Sequence, residues 1–158
     1  MNNLNLDRSA AQAAQEIGKV IGQEVKNKKV EAKELENIVT KALGVLQEQG
    51  VYAAILFLLS RSGDKTTLSK PESLIACYIV YHLLKLLSDS ALESLGYRYV
   101  FQPDKPEQVN NKKQDILIHL TKVNGLCDNL DHLLLIKEVY EQTLIYARFG
   151  AKASGKGD

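Results

Sequence analysis

An apolar run divided by a glycine constrains this chain more than any other stretch. Residues 39–61 read VTKALGVLQEQGVYAAILFLLSR. Up to Gly50, Ile38, Val39, Ala42, Leu43, Val45 and Leu46 recur at spacings of three and four, the period of one buried helix face. Beyond it, residues 51–59 are apolar almost all round, and a helix without a polar face is buried on most sides. Residues 52–59 are therefore expected at the centre, with the other helices laid over them. Gly50 follows Gln47, Glu48 and Gln49 and can take the left-handed conformation that closes a helix at little cost. A second helix then starts at once, at an angle to the first.

The same period continues on both sides of this run. Ala10, Ala14, Ile17, Ile21 and Val25 share one face of a first helix over residues 6–26, with Asn5 or Asp7 placed to satisfy its free amides. Ala10, Ala14, Gly18 and Gly22 form a ladder of small residues that suits close packing, either within the chain or against another subunit. Asn27 reads as a turn, and Glu31, Glu34 and Glu36 fall in the first turn of the second helix, where carboxylates suit the helix dipole. After a polar loop over residues 61–70, Ser69 and Glu72 form a capping box with Pro71 in the first turn. That helix runs to residue 87 and buries Ile75, Ile79, Leu83 and Leu86.

Ser90 and Glu93 repeat the box for a short helix ended by Gly96. Residues 97–101, YRYVF, read as an extended connector, and residues 102–111 carry two of the prolines and no apolar period. Asn111 and Gln114 suggest a cap for a helix over residues 115–123, with Ile116, Leu117, Leu120 and Val123 inward. Gly125 interrupts it. Asp128 or Asn129 caps a last long helix with Leu130, Leu133, Leu134, Ile136, Tyr140, Leu144 and Ala147 inward. The expected fold is all-α, a compact bundle of about six helices, with one domain over residues 1–150 and a flexible tail over residues 151–158.

Composition agrees with this. The 158 residues are 45% hydrophobic and 25% charged, enough for one sizeable core. The net charge of +1 gives no general attraction to nucleic acid, so any basic patch must be local. Cys77 and Cys127 lie apart in apolar helical sequence and suit buried thiols in a reducing compartment. The opening MNNLNLDRSAAQ lacks the features of a signal peptide, and no apolar run reaches the ~20 residues of a membrane span. The expectation is a soluble, cytoplasmic protein with no membrane contact.

Catalysis needs an acid, base, nucleophile or metal in fixed geometry, and no spacing that supplies one is present. There is no HExxH, CxxC, phosphate-binding loop, EF-hand loop or nucleophile elbow. Ser62 and Lys65 have the SxxK spacing of some acyl enzymes, but Gly63 and Asp64 oppose the helix it needs. Asp128, Asp131 and His132 approach a metal cluster yet open a helix, where acidic residues serve the dipole and cap. His82 lies beside an apolar stripe and reads as a core or rim histidine. No catalytic residue, metal or cofactor is assigned. The remaining chemistry is basic: Lys26, Lys28, Lys29 and Lys33 around the first turn, Lys112 and Lys113 at a helix start, and Arg148, Lys152 and Lys156 toward the C-terminus. Cations at a helix C-terminus also answer its dipole, so the last group has a structural reading as well.

Residues 49–61, QGVYAAILFLLSR, carry a resemblance. A helix ending in glycine, two bulky residues, two small ones and an apolar Phe-Leu run closed by Ser and a basic residue resembles the small helical subunit of type III-B CRISPR effectors, the Cmr complexes. Arg8, Ala10, Ala11 and Ala14 agree with its opening. Tyr140, Thr143, Leu144, Tyr146, Arg148 and Phe149 look like its closing helix, although Ile145, Tyr146 and Ala147 stand where Trp-Leu-Lys is usual. The small subunit of type III-A (Csm) complexes is a close neighbour.

The resemblance implies a non-catalytic protein that stacks with copies of itself and with other effector subunits. Such a subunit helps to hold target RNA, or its duplex with the guide RNA, through the backbone. The residues implied for RNA are Arg8, Lys26, Lys28, Lys29, Arg61, Lys112, Lys113, Arg148 and Lys152. The alternative is a helical adaptor that binds protein through an apolar groove and no nucleic acid. A hydrolase without a known motif, dependent on His82 or His119, is the third reading.

Overall fold

The computed structural model describes residues 2–63, 70–93 and 103–155. Seven α-helices and one two-stranded ladder are found there: α1 Asn2–Gly18, β1 Glu24–Val25, β2 Lys28–Lys29, α2 Ala32–Gln49, α3 Val51–Arg61, α4 Pro71–Leu86, α5 Ser90–Glu93, α6 Lys113–Thr121 and α7 Leu130–Ser154. The all-α expectation holds. The SxxK lysine Lys65, Ser69, the connector over residues 97–101 and the last residues of the tail lie outside the described residues; the N-cap of α4 is Lys70, without a side-chain hydrogen bond, in place of the cap expected at Ser69.

α7 is the element the others cover, with α1 and α2 both packed along it. Its buried side chains are Ile136, Val139, Tyr140, Thr143, Leu144, Ala147 and Ala151, a single face at helical spacing. The expected face began too early. Leu130 and Leu134 are 69% and 54% exposed, because the first two turns of α7 project past the helices that cover the rest. The tail is corrected too: α7 runs on through Ser154 and Ala151 is buried. Asn129 is its cap, its Oδ1 accepting from the His132 amide at 3.0 Å.

The central position expected for α3 is also corrected. α3 buries Val51, Ala54, Ile55, Leu58 and Leu59, but Leu56 is exposed. α4 is the helix enclosed nearly all round, with Ser73 through Cys77 buried in succession, then Ile79, Val80 and the segment from His82 to Leu84. Tyr140 from α7 is fully buried against it and donates its hydroxyl to the Leu83 carbonyl at 2.7 Å. Without that acceptor, a buried hydroxyl would cost about 1–3 kcal/mol.

The first helix is shorter than its period suggested. It ends at Gly18, and a β-hairpin takes the place of its last two turns, pairing Glu24 with Lys29 and Val25 with Lys28. Gly22, Lys26 and Asn27 all adopt positive φ, which no helix admits. Val25 is buried as expected, but from a strand. Residues 106–111, in the stretch without an apolar period, form a 3-10 turn against α4 with Val109 and Asn110 buried. Asn110 Nδ2 donates to the Ser62 carbonyl at 2.6 Å. α6 starts from Lys112 without a side-chain cap, so Asn111 and Gln114 do not serve as one. Val123 is 80% exposed rather than inward. A Cβ at Gly125 would lie 2.7 Å from the His119 carbonyl, so only glycine fits that turn.

Gly50 joins α2 to α3 as expected, but at φ 95° and ψ −174°, an extended positive-φ state and not the left-handed helical one. Its amide still closes α2 on the Leu46 carbonyl at 3.0 Å, and its carbonyl opens α3 by accepting from Ala54 at 3.1 Å. This region is open essentially to glycine alone, so Gly50→Ala is expected to cost about 1–3 kcal/mol of backbone strain. No atom lies within 4 Å of a Cβ at Gly50 or at Gly44 inside α2, so sterics with neighbours do not enter. Gly44→Ala should stabilise by roughly 0.5–1 kcal/mol. Urea midpoints that move in opposite directions for the two variants would bear this out, and a neutral Gly50→Ala would refute it.

Candidate nucleic-acid interface

Side-chain contacts fix the directions of the helices. Tyr146 donates to Asp7 Oδ1 at 2.6 Å, and a groove further along is lined by Ala14 and Gly18 on one side and Ala147 and Gly150 on the other, so α1 and α7 run parallel. Lys137 Nζ meets the Gln47 carbonyl at 3.4 Å and Lys152 meets Glu36 at 3.8 Å, so α2 is antiparallel to α7. Gln23 Nε2 reaches Tyr78 at 2.6 Å, while Glu16 and His82 line one cleft, so α4 is antiparallel to α1. Arg61 joins the end of α3 to Glu72 in the first turn of α4 at 2.7 Å. One end of the bundle therefore gathers the C-termini of α1, α3 and α7 with the N-termini of α2 and α4.

This geometry sorts the candidate residues. Lys26, Lys28 and Lys29 project from the hairpin at that end, exposed and without an ion pair among the described residues. Positive φ at Lys26 and Asn27 makes the turn tight, so the three lysines leave the backbone within one short hairpin. Lys152 lies at the same end but pairs with Glu36, which Lys33 also approaches at 3.7 Å. Arg148, one turn earlier, has its Nε buried without a hydrogen-bond partner, so only part of its guanidinium faces water.

Arg61, Lys112 and Lys113 form a second group around the end of α3. Arg61 is engaged by Glu72 and stacks its guanidinium 5.0 Å over the Phe57 ring. Lys113 donates to the Gly63 carbonyl, and Lys112 is exposed. Arg8 stands apart, exposed on the first half of α1, toward the opposite end.

The side chains considered for catalysis are differently placed. Asp128 Oδ2 accepts from the Asn124 amide at 3.0 Å and so closes a turn. No group of three or more metal-ligating side chains gathers among the described residues. Burial pushes the Cys77 thiol up to about 12 and raises Cys127 as well, leaving both protonated and poorly nucleophilic. No helix among the described residues is long and apolar enough to cross a membrane.

His82 has surroundings that spacing in sequence could not reveal. Its ring is buried edge-on against Tyr81, with centroids 4.9 Å apart, and faces Glu16 of α1 across a cleft. Desolvation holds its pKa down at about 4, with Glu16 opposing and Lys85 and Lys19 reinforcing the shift. Compared with family models, curated proteins and solved structures, the chain matches none.

Because His82 titrates lower in the folded state than in the unfolded one, the unfolded chain binds more protons between pH 6.5 and about 4. Stability from this group is complete above pH 6.5 and is lost as the pH falls through that window. The melting temperature should decline across it, and His82→Gln, which cannot be protonated there, should flatten the decline. An equally steep decline in the variant would remove His82 as the cause.

Proposed function

We propose that this protein is a non-catalytic small subunit of an RNA-guided CRISPR effector of type III-B, acting in the cytoplasm. It stacks with other subunits and holds target RNA by its backbone. The observation that carries this reading is the hairpin tip, where Lys26, Lys28 and Lys29 stand exposed on a tight turn, without an ion pair among the described residues. Lysines that carry no structural ion pair remain available to phosphate, and phosphate contacts hold a strand without reading its bases. In a guided complex, sequence is read by pairing to the guide, so backbone contacts suffice. Lys152, Arg148 and the group around Arg61 extend the same end of the bundle. The type III-A small subunit makes the same physical demands.

A second reading, a helical adaptor without nucleic acid, is favoured by one observation. Ile118, Val123, Leu130 and Leu134 are exposed apolar side chains on α6, the turn after it and the first two turns of α7. Stacking in an effector would also cover such side chains, so RNA binding is what separates the two.

Replacing Lys26, Lys28 and Lys29 together by Ala should weaken single-stranded RNA binding similarly for unrelated sequences. The slope of log affinity against log salt should become shallower by roughly 0.7 for each phosphate that is no longer neutralised. Arg61→Ala, which removes a residue engaged in the fold, should alter the melting curve more than the salt slope. Unchanged RNA binding at every salt concentration in the triple variant, together with failure to co-purify with co-expressed effector subunits, would sink the proposal in favour of the adaptor.

A further inference from the structure

Between α1 and α4, away from the hairpin tip, lies a cleft of about 380 Å³, within the range of small-molecule sites. Two of its polar side chains are more than nine-tenths buried: Ser9, at 9% exposure, and His82, at 7%. Neither makes a side-chain hydrogen bond among the described residues, and neither is among the buried side-chain atoms left without a partner, so their polar atoms open onto the cleft. Gln12, Gln15 and Glu16 complete the α1 wall, and Lys85 stands opposite on α4. Ala13 and Leu86 supply apolar surface.

Of the charged groups in the cleft, Glu16 is paired with Lys19 at 2.6 Å, while Lys85 and Asp89 stand on the α4 side with Lys85 exposed. What remains is neutral and two-sided in its hydrogen bonding. Each glutamine amide offers donors and an acceptor, and the Ser9 hydroxyl can do either. At neutral pH the His82 imidazole is uncharged and offers one of each. A ligand matched to this set is uncharged, has donors and acceptors around its edge, and presents apolar faces to Ala13 and Leu86.

We infer that the cleft binds a nucleobase. Glutamine side chains pair bidentately with a base edge, and extruded bases are held by edge hydrogen bonds between apolar side chains. Lys85, exposed at the rim, is placed for the phosphate that follows the sugar. The base can come from a free nucleotide or from an unpaired residue of RNA. The cleft stands on its own residues and does not rest on the hairpin lysines.

The chain has only three histidines, so the ring protons of His82 can be followed by NMR in the whole protein. Titration with adenosine, guanosine, cytidine and uridine, with their 5′-monophosphates, and with a short single-stranded RNA should give a saturable shift of the His82 signals for at least one of them. His119 and His132 should not follow. Gln12 is exposed, so Gln12→Ala should leave the fold intact and weaken binding about three- to tenfold, as expected for the removal of one hydrogen bond. Lys85→Ala should weaken the monophosphate and spare the nucleoside. Saturation by nucleosides and monophosphates alone identifies a free nucleotide as the source, and saturation by RNA alone identifies RNA. No saturable shift with any probe overturns the inference. So does an equal shift with glucose, or binding indifferent to Gln12→Ala.

Discussion

The bundle depends on covering one face of α7. From Ile136 to Ala151 that helix presents a continuous apolar strip, and no single neighbour is broad enough to bury it. α1 lies along one flank and α2 along the other, while Tyr140 is buried against α4. Each buried Leu or Ile contributes about 1.5–3 kcal/mol relative to exposure. On the α1 side Ala14 and Gly18 stand across an open groove from Ala147 and Gly150, where a Cβ at either glycine would meet nothing within 4 Å. The parallel pair is what brings the C-termini of α1 and α7 to the same end.

That shared end has an electrostatic consequence. Helix C-termini carry partial negative charge and helix N-termini partial positive charge, and both kinds meet there. Glu36 in the second turn of α2 lies between Lys33 and Lys152 and ties α2 to the end of α7. Exposed pairs of this kind contribute about 1 kcal/mol or less. Lys152 is thus occupied in orienting two helices, and Arg148 keeps its Nε inside the bundle. The hairpin lysines have no such duty. A cation useful to a partner is one the fold does not need, and by that criterion the first basic cluster outranks the last.

Much of this was legible along the chain, for reasons that differ by element. The helical period of α2, the break at Gly50 and the cap of α7 by Asn129 are local signals, and local physics decides them. The hairpin was hidden because Ile21 and Val25 fit a helical stripe as well as a strand, and only the positive φ values at Gly22, Lys26 and Asn27 separate the two. The exposure of Leu130, Leu134 and Val123 could not be read from spacing, since it depends on how far neighbouring helices reach. For the same reason α3, apolar in composition, lies nearer the surface than α4. Of the candidate site, the residue types were visible and their assembly was not. Only the helix directions show that the hairpin lysines and the group at the end of α3 belong to one end, and that Arg8 does not.

His82 shows the limit of reading a residue from its own helix. Its sequence neighbours Tyr78 and Tyr81 make an aromatic surrounding and suggest a satisfied core position. Glu16, Ser9 and Gln12, more than sixty positions away, convert that position into the wall of a cleft. An imidazole on an apolar stripe is ordinarily stabilised by a hydrogen bond to a neighbouring element, because desolvation without one is costly. Here the ring lies against the edge of Tyr81 and the tilted ring of Tyr78, and faces the open cleft. Its nitrogens are not among the buried side-chain atoms left without a partner, so the cleft opens them to water or to a ligand that replaces it. A neutral donor and acceptor facing the cleft, more than the size of the cavity, is what distinguishes a place for a ligand from an imperfection of packing.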